Sequence, residues 1–110
     1  MKLKSLSLAI STALLAGGLM ASQAAVAKGR LVVYCSATNI LCETTTKAFG
    51  EKYDVKTSFI RNGSGSTFAK VEAEKNNPQA DVWFGGTFDP QAQAAELGLI
   101  EPYKSKHIDE

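Results

Sequence analysis

The stretch Arg61-Asn62-Gly63-Ser64-Gly65-Ser66-Thr67-Phe68-Ala69-Lys70 concentrates the groups in this 110-residue chain that could hold an anion. It follows an apolar, strand-like run and opens into a helical pattern, so its glycines, hydroxyls and free backbone N–H groups fall at a helix N-terminus. The aligned peptide dipoles leave roughly half a positive charge there, and the first N–H groups lack partners inside the helix. Gly63 and Gly65 let a backbone approach a ligand, Ser64, Ser66 and Thr67 can donate, and Arg61 can fork onto a phosphate or carboxylate. One helix start needs only one cap residue, so this much polarity favours ligand capture over capping alone. The pattern is neither G-x-G-x-x-G nor the phosphate loop ending in Gly-Lys-Ser/Thr, so a nucleotide lacks its fingerprint. Asn62-Gly63-Ser64 also spells a glycosylation acceptor, which the bacterial character of the leader discounts.

Two further loops carry weaker signals. Ser36 and Thr38, in Cys35-Ser36-Ala37-Thr38-Asn39, are cap-type residues at a second helix entry, where ordinary capping and ligand contact are equally open. Gly86 and Thr87 follow Trp83-Phe84-Gly85, where a glycine turn that clears the aromatic pair competes with ligand contact. Asp89 before Pro90 reads as an N-cap. The single histidine, His107, stands alone in a polar tail and no paired carboxylates face a loop, so neither a catalytic residue nor a metal site is expected and an enzyme is disfavoured. No cofactor is implied.

The first residues bear on compartment. Met1-Lys2-Leu3-Lys4 is a basic start, Leu6 to Met20 an apolar run, and Ala25-Val26-Ala27 an A-x-A site, which is the grammar of a cleaved signal peptide over residues 1–27. The run of about fifteen residues, broken by Ser11, Thr12, Gly17 and Gly18, is short for a membrane span of ~20. Cleavage would remove Lys2 and Lys4 from the twelve basic residues, leaving a net charge of −1 against eleven acidic ones. Nucleic acid therefore has no electrostatic support as a partner. Export also places Cys35 and Cys42, the only cysteines, in an oxidising compartment, where an even pair is expected to bridge.

The elements that position these groups alternate. Arg30–Tyr34 reads as a buried strand, followed by a helix with Ser36 or Thr38 as N-cap, a stripe of Ile40, Leu41, Thr44, Thr45, Ala48 and Phe49, and Gly50 as terminator. Val55, Thr57 and Phe59 alternate with Lys56, Ser58 and Ile60 in a second strand. A helix from Ser66 to about Asn76 would bury Phe68, Val71 and Ala73 and turn Lys70, Glu72, Glu74 and Lys75 to water, ending at Asn76-Asn77-Pro78. Ala80–Phe84 is the third strand, with Tyr34, Trp83 and Phe84 assigned to the core, although any of the three could wall a pocket. Gln91–Leu97 is the third helix, with Gly98 at its C-terminus. Such alternation predicts an α/β fold with a mostly parallel sheet, helices on both faces, and all three strand-to-helix loops at the carboxyl edge where open sheets bind ligands.

Leu31-Val32-Val33-Tyr34-Cys35-Ser36-Ala37-Thr38, Ala80-Asp81-Val82-Trp83-Phe84-Gly85-Gly86 and Gly98-Leu99-Ile100-Glu101-Pro102-Tyr103 resemble the N-terminal lobe of periplasmic solute-binding proteins of ABC importers. The resemblance lies with the ferric-ion, thiamine, phosphonate and sugar-phosphate group and covers Lys28 to Tyr103. It implies two α/β lobes clamping a ligand, of which residues 28–110 would hold part of the first. Ferric-ion binders of the group place a histidine in the first loop and a glutamate in the third; this chain has Thr38 and Gly86 near those positions, which argues against iron coordination from this lobe. The loops are closer to the hexose-phosphate members. By that analogy Ser36, Thr38, Ser64, Gly65, Ser66 and Thr67 would hydrogen-bond a phosphate, Gly86 and Thr87 would line the opposite rim, and Arg61 would be a phosphate partner or a surface residue.

The reading that follows is a monomeric periplasmic binding component that delivers a small anion, with a sugar phosphate favoured, to an inner-membrane permease and ATPase. A ferric-ion-binding importer component is the alternative within transport. An exported phosphate-ester hydrolase is the alternative of another class, and it would need a base or metal from outside these residues.

Overall fold

The computed structural model describes residues 28–110; the expected signal peptide lies outside the described residues. Three strands and three helices alternate: β1 (Arg30–Cys35), α1 (Asn39–Tyr53), β2 (Lys56–Arg61), α2 (Ser64–Ala73), β3 (Val82–Phe84) and α3 (Phe88–Glu96). The sheet order is β2-β1-β3 and both pairings are parallel. Cys35 is level with Arg61 on one side and with Phe84 on the other. The three strands thus end at the same height, and the loops that follow them emerge along one edge.

Because successive strand residues point to opposite faces, β1 serves two layers. Val33 and Cys35 face α1, where Cys35 is bridged to Cys42, a pair with Cα atoms 5.9 Å apart. Tyr34 faces the other way and its hydroxyl donates to Glu74 at the end of α2, 2.8 Å from Oε2. Helices therefore cover both faces, as the alternation predicted. Val33, Tyr34, Cys35, Cys42 and Ala94 are the buried apolar residues, and Leu31, Ala37, Phe59 and Phe84 pack against the Val33, Cys35 and Cys42 cluster.

Several local expectations need correction. The stripe Ile40, Leu41, Phe49 lies outward, with Ile40 70% exposed, while Cys42 and Thr46 are buried. Small residues face the sheet because α1 lies close to β2. Gly50 does not end the helix: a Cβ there would stand 2.8 Å from the Val55 carbonyl oxygen and 2.9 Å from Thr57 Oγ1. The glycine permits close approach, and Asp54, in the left-handed conformation at φ 54°, ends α1 by donating its N–H to the Gly50 carbonyl. Lys70 and Glu74 do not face water as expected; they pair at 3.0 Å over Tyr34, whose ring lies 5.3 Å from Lys70 Nζ.

β3 is shorter than the apolar run suggested because Asp81 replaces a ladder step. Its N–H donates to the Val32 carbonyl, and its Oδ2 accepts the Val32 N–H at 2.8 Å. At the C-terminus of α3, Gly98 adopts φ 68°, its N–H bonding Ala95 and the N–H of Leu99 bonding Ala94. That pair of bonds is a Schellman ending, as Gly98 predicted. Among the described residues no helix is long and apolar enough to cross a membrane.

Candidate functional site

Loop one, residues 36–38, is anchored at both ends. Ser36 donates its N–H to the Phe84 carbonyl at 2.8 Å, and Cys35, just before it, is bridged into α1. Arg61 at the end of β2 turns its Nε–H onto the Ala37 carbonyl at 2.9 Å. Arg61 is thus a brace for loop one, a role that a long-range contact alone could reveal. Thr38 occupies the N-cap position of α1, as one of the two expected caps, but its side chain makes no cap hydrogen bond. Its exposed hydroxyl is thereby left open to a partner outside the helix.

The second loop is tighter than expected. The helix begins at Ser64, two residues before the predicted Ser66, with Gly63 as N-cap and no side-chain cap. Ser64, Gly65, Ser66 and Thr67 are therefore the first turn of α2, where their N–H groups carry the positive end of the dipole. The turn residues divide by environment. Gly65 and Ser66 are exposed, whereas Thr67 is 1% exposed with its Oγ1 3.1 Å from Ser36 Oγ.

Loop three reaches back onto the other two. Gly85 and Gly86 adopt φ 75° and 90°, in the left-handed region that glycine tolerates. The reason is not clearance of Trp83 and Phe84. A Cβ on Gly86 would collide with Ser64 Oγ and stand 2.7 Å from Ser36 Cβ, and one on Gly85 would stand 2.9 Å from Ala37 Cβ. Gly86 therefore sits between Ser36 and Ser64 rather than across from them. Thr87 donates its N–H to Ser64 Oγ at 2.9 Å, and Gln91 holds the Gly85 carbonyl at 2.8 Å.

The cap of α3 also differs from expectation. Thr87 is the N-cap, while Asp89 and Pro90 are the second and third helical residues, so Asp89 supplies first-turn charge instead. Pro90 is tolerated because the first turn leaves N–H groups without helical partners in any case. Trp83, assigned to the core from its apolar run, is half-buried and places its Nε1–H 3.0 Å from Ser36 Oγ. Sequence reasoning missed this role, since nothing in the spacing of residues 36 and 83 signals a contact.

Ser36, Ser64, Thr67, Gly86 and Thr87 thus form one cluster at the carboxyl edge, with Thr38, Gly65 and Ser66 exposed beside it and Arg61 bracing it from below. The cluster consists of neutral donors and a helix N-terminus. Such an arrangement of donors can hold an anion. Among the described residues no group of three or more His, Cys, Asp or Glu side chains is placed to hold a metal ion.

No protein-family model matches the chain. Among solved structures, the chain is similar to the periplasmic binding protein AfuA from Actinobacillus pleuropneumoniae, with exogenous fructose-6-phosphate bound: 77% identity, TM-score 0.74, covering 74% of this chain and 26% of that one. It is also similar to the periplasmic binding protein P5PA, at 53% identity and TM-score 0.70 over 72% of this chain and 25% of that one. The fold is that of a partial periplasmic binding-protein lobe. A protein of Haemophilus influenzae (strain ATCC 51907 / DSM 11121 / KW20 / Rd), described as uncharacterized, is 89% identical over all 110 residues. The chain spans 32% of that relative's length. In this chain the hydroxyl cluster occupies the sheet edge at which the strand-to-helix loops converge, the position ligands take in open α/β sheets.

Proposed function

We propose that this chain is part of the periplasmic substrate-binding component of an ABC importer and that the cluster at its sheet edge captures the phosphate of a sugar phosphate. The observation that carries the reading is the convergence of Ser36, Ser64 and Thr67 with the first turn of α2 around Gly86, in a lobe 77% identical to a binding protein seen with fructose-6-phosphate. Hydroxyls and helical N–H groups hold a doubly charged phosphate without a buried counter-charge, which leaves release easy when two lobes part. Thr38, Gly65, Ser66 and Thr87 are assigned to the same site. Arg61 acts on it through the Ala37 carbonyl.

In this reading residues 1–27 are a cleaved signal peptide, residues 28–110 belong to the N-terminal lobe, and the second wall of the cleft comes from a second lobe. The protein acts as a monomer, carries out no chemistry on its ligand, and hands it to an inner-membrane permease and ATPase. Calorimetric titration of the full-length protein with fructose-6-phosphate is expected to give saturable binding at micromolar ligand or below. Absence of heat with every hexose phosphate, together with tight binding of ferric ion, would replace the proposal with the iron reading.

A further inference from the structure

An indole N–H can donate and cannot accept, whereas a serine hydroxyl has one proton and two lone pairs. Trp83 Nε1 lies 3.0 Å from Ser36 Oγ, so one lone pair of Ser36 is taken. Thr67 Oγ1 lies 3.1 Å from the same oxygen, and Thr67 is buried to 1% exposure. The backbone N–H of Ser36 is already committed to the Phe84 carbonyl at 2.8 Å. Ser36 can therefore reach a ligand as a donor only through its hydroxyl proton.

We propose that Trp83 is a positioning and specificity-determining residue: its N–H takes one lone pair of Ser36, and with the Thr67 hydroxyl oriented as donor to the second, Ser36 has only its own O–H to offer. The assignment rests on the phosphate reading above. The same arrangement recurs one loop away, where the Thr87 N–H donates to Ser64 Oγ at 2.9 Å. Both serines flank Gly86, so two hydroxyls that each already accept an N–H stand side by side. A group entering there meets donors. A deprotonated phosphate oxygen accepts from both, whereas an ammonium group, with only donors to present, meets no free lone pair on Ser36 in this orientation. Donation into Ser36 also polarises its O–H, which strengthens the outgoing bond in a chain of this kind.

A double-mutant cycle on the full-length protein, read by calorimetric titration with fructose-6-phosphate, tests the assignment. Ser36→Ala is expected to weaken binding by about tenfold to a hundredfold, the worth of a hydrogen bond to a charged group, and Trp83→Phe by about twofold to tenfold, that of a bond between neutral groups. The double variant is expected to bind within about twofold of Ser36→Ala alone, because coupled partners are not additive. Unchanged affinity in Trp83→Phe, or losses that multiply in the double variant, overturns the role of Trp83 while leaving the phosphate reading intact. No binding by the wild-type protein overturns both. Since Trp83→Phe removes part of a half-buried ring, the assigned indole N–H resonance of the wild-type protein is followed as well. Saturation with fructose-6-phosphate is expected to shift it, and an unmoved resonance overturns the assignment without any substitution.

Discussion

Ser64, the first residue of α2, accepts the backbone N–H of Thr87, the cap residue of α3, at 2.9 Å. One hydroxyl thereby ties two helix entries together across Gly86. The bond is exposed, so water can replace it when the hydroxyl is removed.

Ser64→Ala separates structure from binding for that reason. Loss of a solvent-accessible hydrogen bond costs about 1 kcal/mol or less, whereas loss of a phosphate donor is expected to weaken affinity for fructose-6-phosphate about tenfold. Thermal unfolding and titration of the same variant check the pair. A stability loss with unchanged affinity would show Ser64 to be a brace only.

Gly50→Ala reverses a common rule. Inside a helix, alanine ordinarily stabilises by about 0.5–1 kcal/mol relative to glycine. Here the added Cβ would meet the Val55 carbonyl oxygen at 2.8 Å and Thr57 Oγ1 at 2.9 Å, and one of these atoms is backbone. Overpacking of about 1–3 kcal/mol outweighs the gain in propensity, so the variant is expected to unfold at lower denaturant than the wild type.

The Cys35–Cys42 bridge closes a short loop, with a sequence separation of 7, and both residues are fully buried. Replacing both cysteines with alanine is expected to cost about 2–3 kcal/mol through the freedom returned to the unfolded chain. Because Cys35 directly precedes Ser36, affinity should fall as well. Denaturant titration reads the first effect and calorimetry the second.

Tyr34, Lys70 and Glu74 make a pH-sensitive group on the α2 face. Burial raises the Tyr34 pKa, and the Glu74 carboxylate raises it further. Glu74 raises that of Lys70. For Glu74 itself burial disfavours the charge, but hydrogen bonds from Tyr34 and Lys70 outweigh it and hold the carboxyl below the usual glutamate range. A lowered carboxyl pKa stabilises the fold above its unfolded value and is lost as pH falls through the folded one. Raised Tyr34 and Lys70 values act oppositely, stabilising at lower pH and fading as pH rises through them. Stability of the wild type is expected to plateau between these limits. Glu74→Gln should flatten the acid limb in thermal unfolding across pH, and an unchanged acid limb would remove Glu74 from the account.

The architecture was legible because it rests on local regularities. β-branched runs bounded by cap residues marked β1 and β2, Gly98 marked the end of α3, and alternation of strand and helix implied the parallel sheet with loops at one edge. The expected bridge was legible from an even cysteine count. Helix faces were less so: Thr46 and Gly50 face the sheet although neither is strongly apolar, and a stripe built on hydrophobicity alone therefore landed on the opposite side of α1. Starts also shifted, to Ser64 and to Thr87 as cap, because α2 and α3 begin without side-chain caps and so lack the signal that cap residues provide.

For the site, the sequence by itself determined which residue types gather at the ends of the strands: hydroxyls, glycines and helix N-termini. Those are encoded in short stretches, each within a few residues of the strand that precedes it. Tertiary structure alone decided how they meet. Register placed Cys35, Arg61 and Phe84 level, Gly86 let Ser36 and Ser64 close together, Arg61 turned onto the Ala37 carbonyl, and Trp83 reached Ser36 across 47 residues of chain. Contacts at such separation depend on sheet order and on which face each side chain takes, and neither quantity is written in any single stretch of residues.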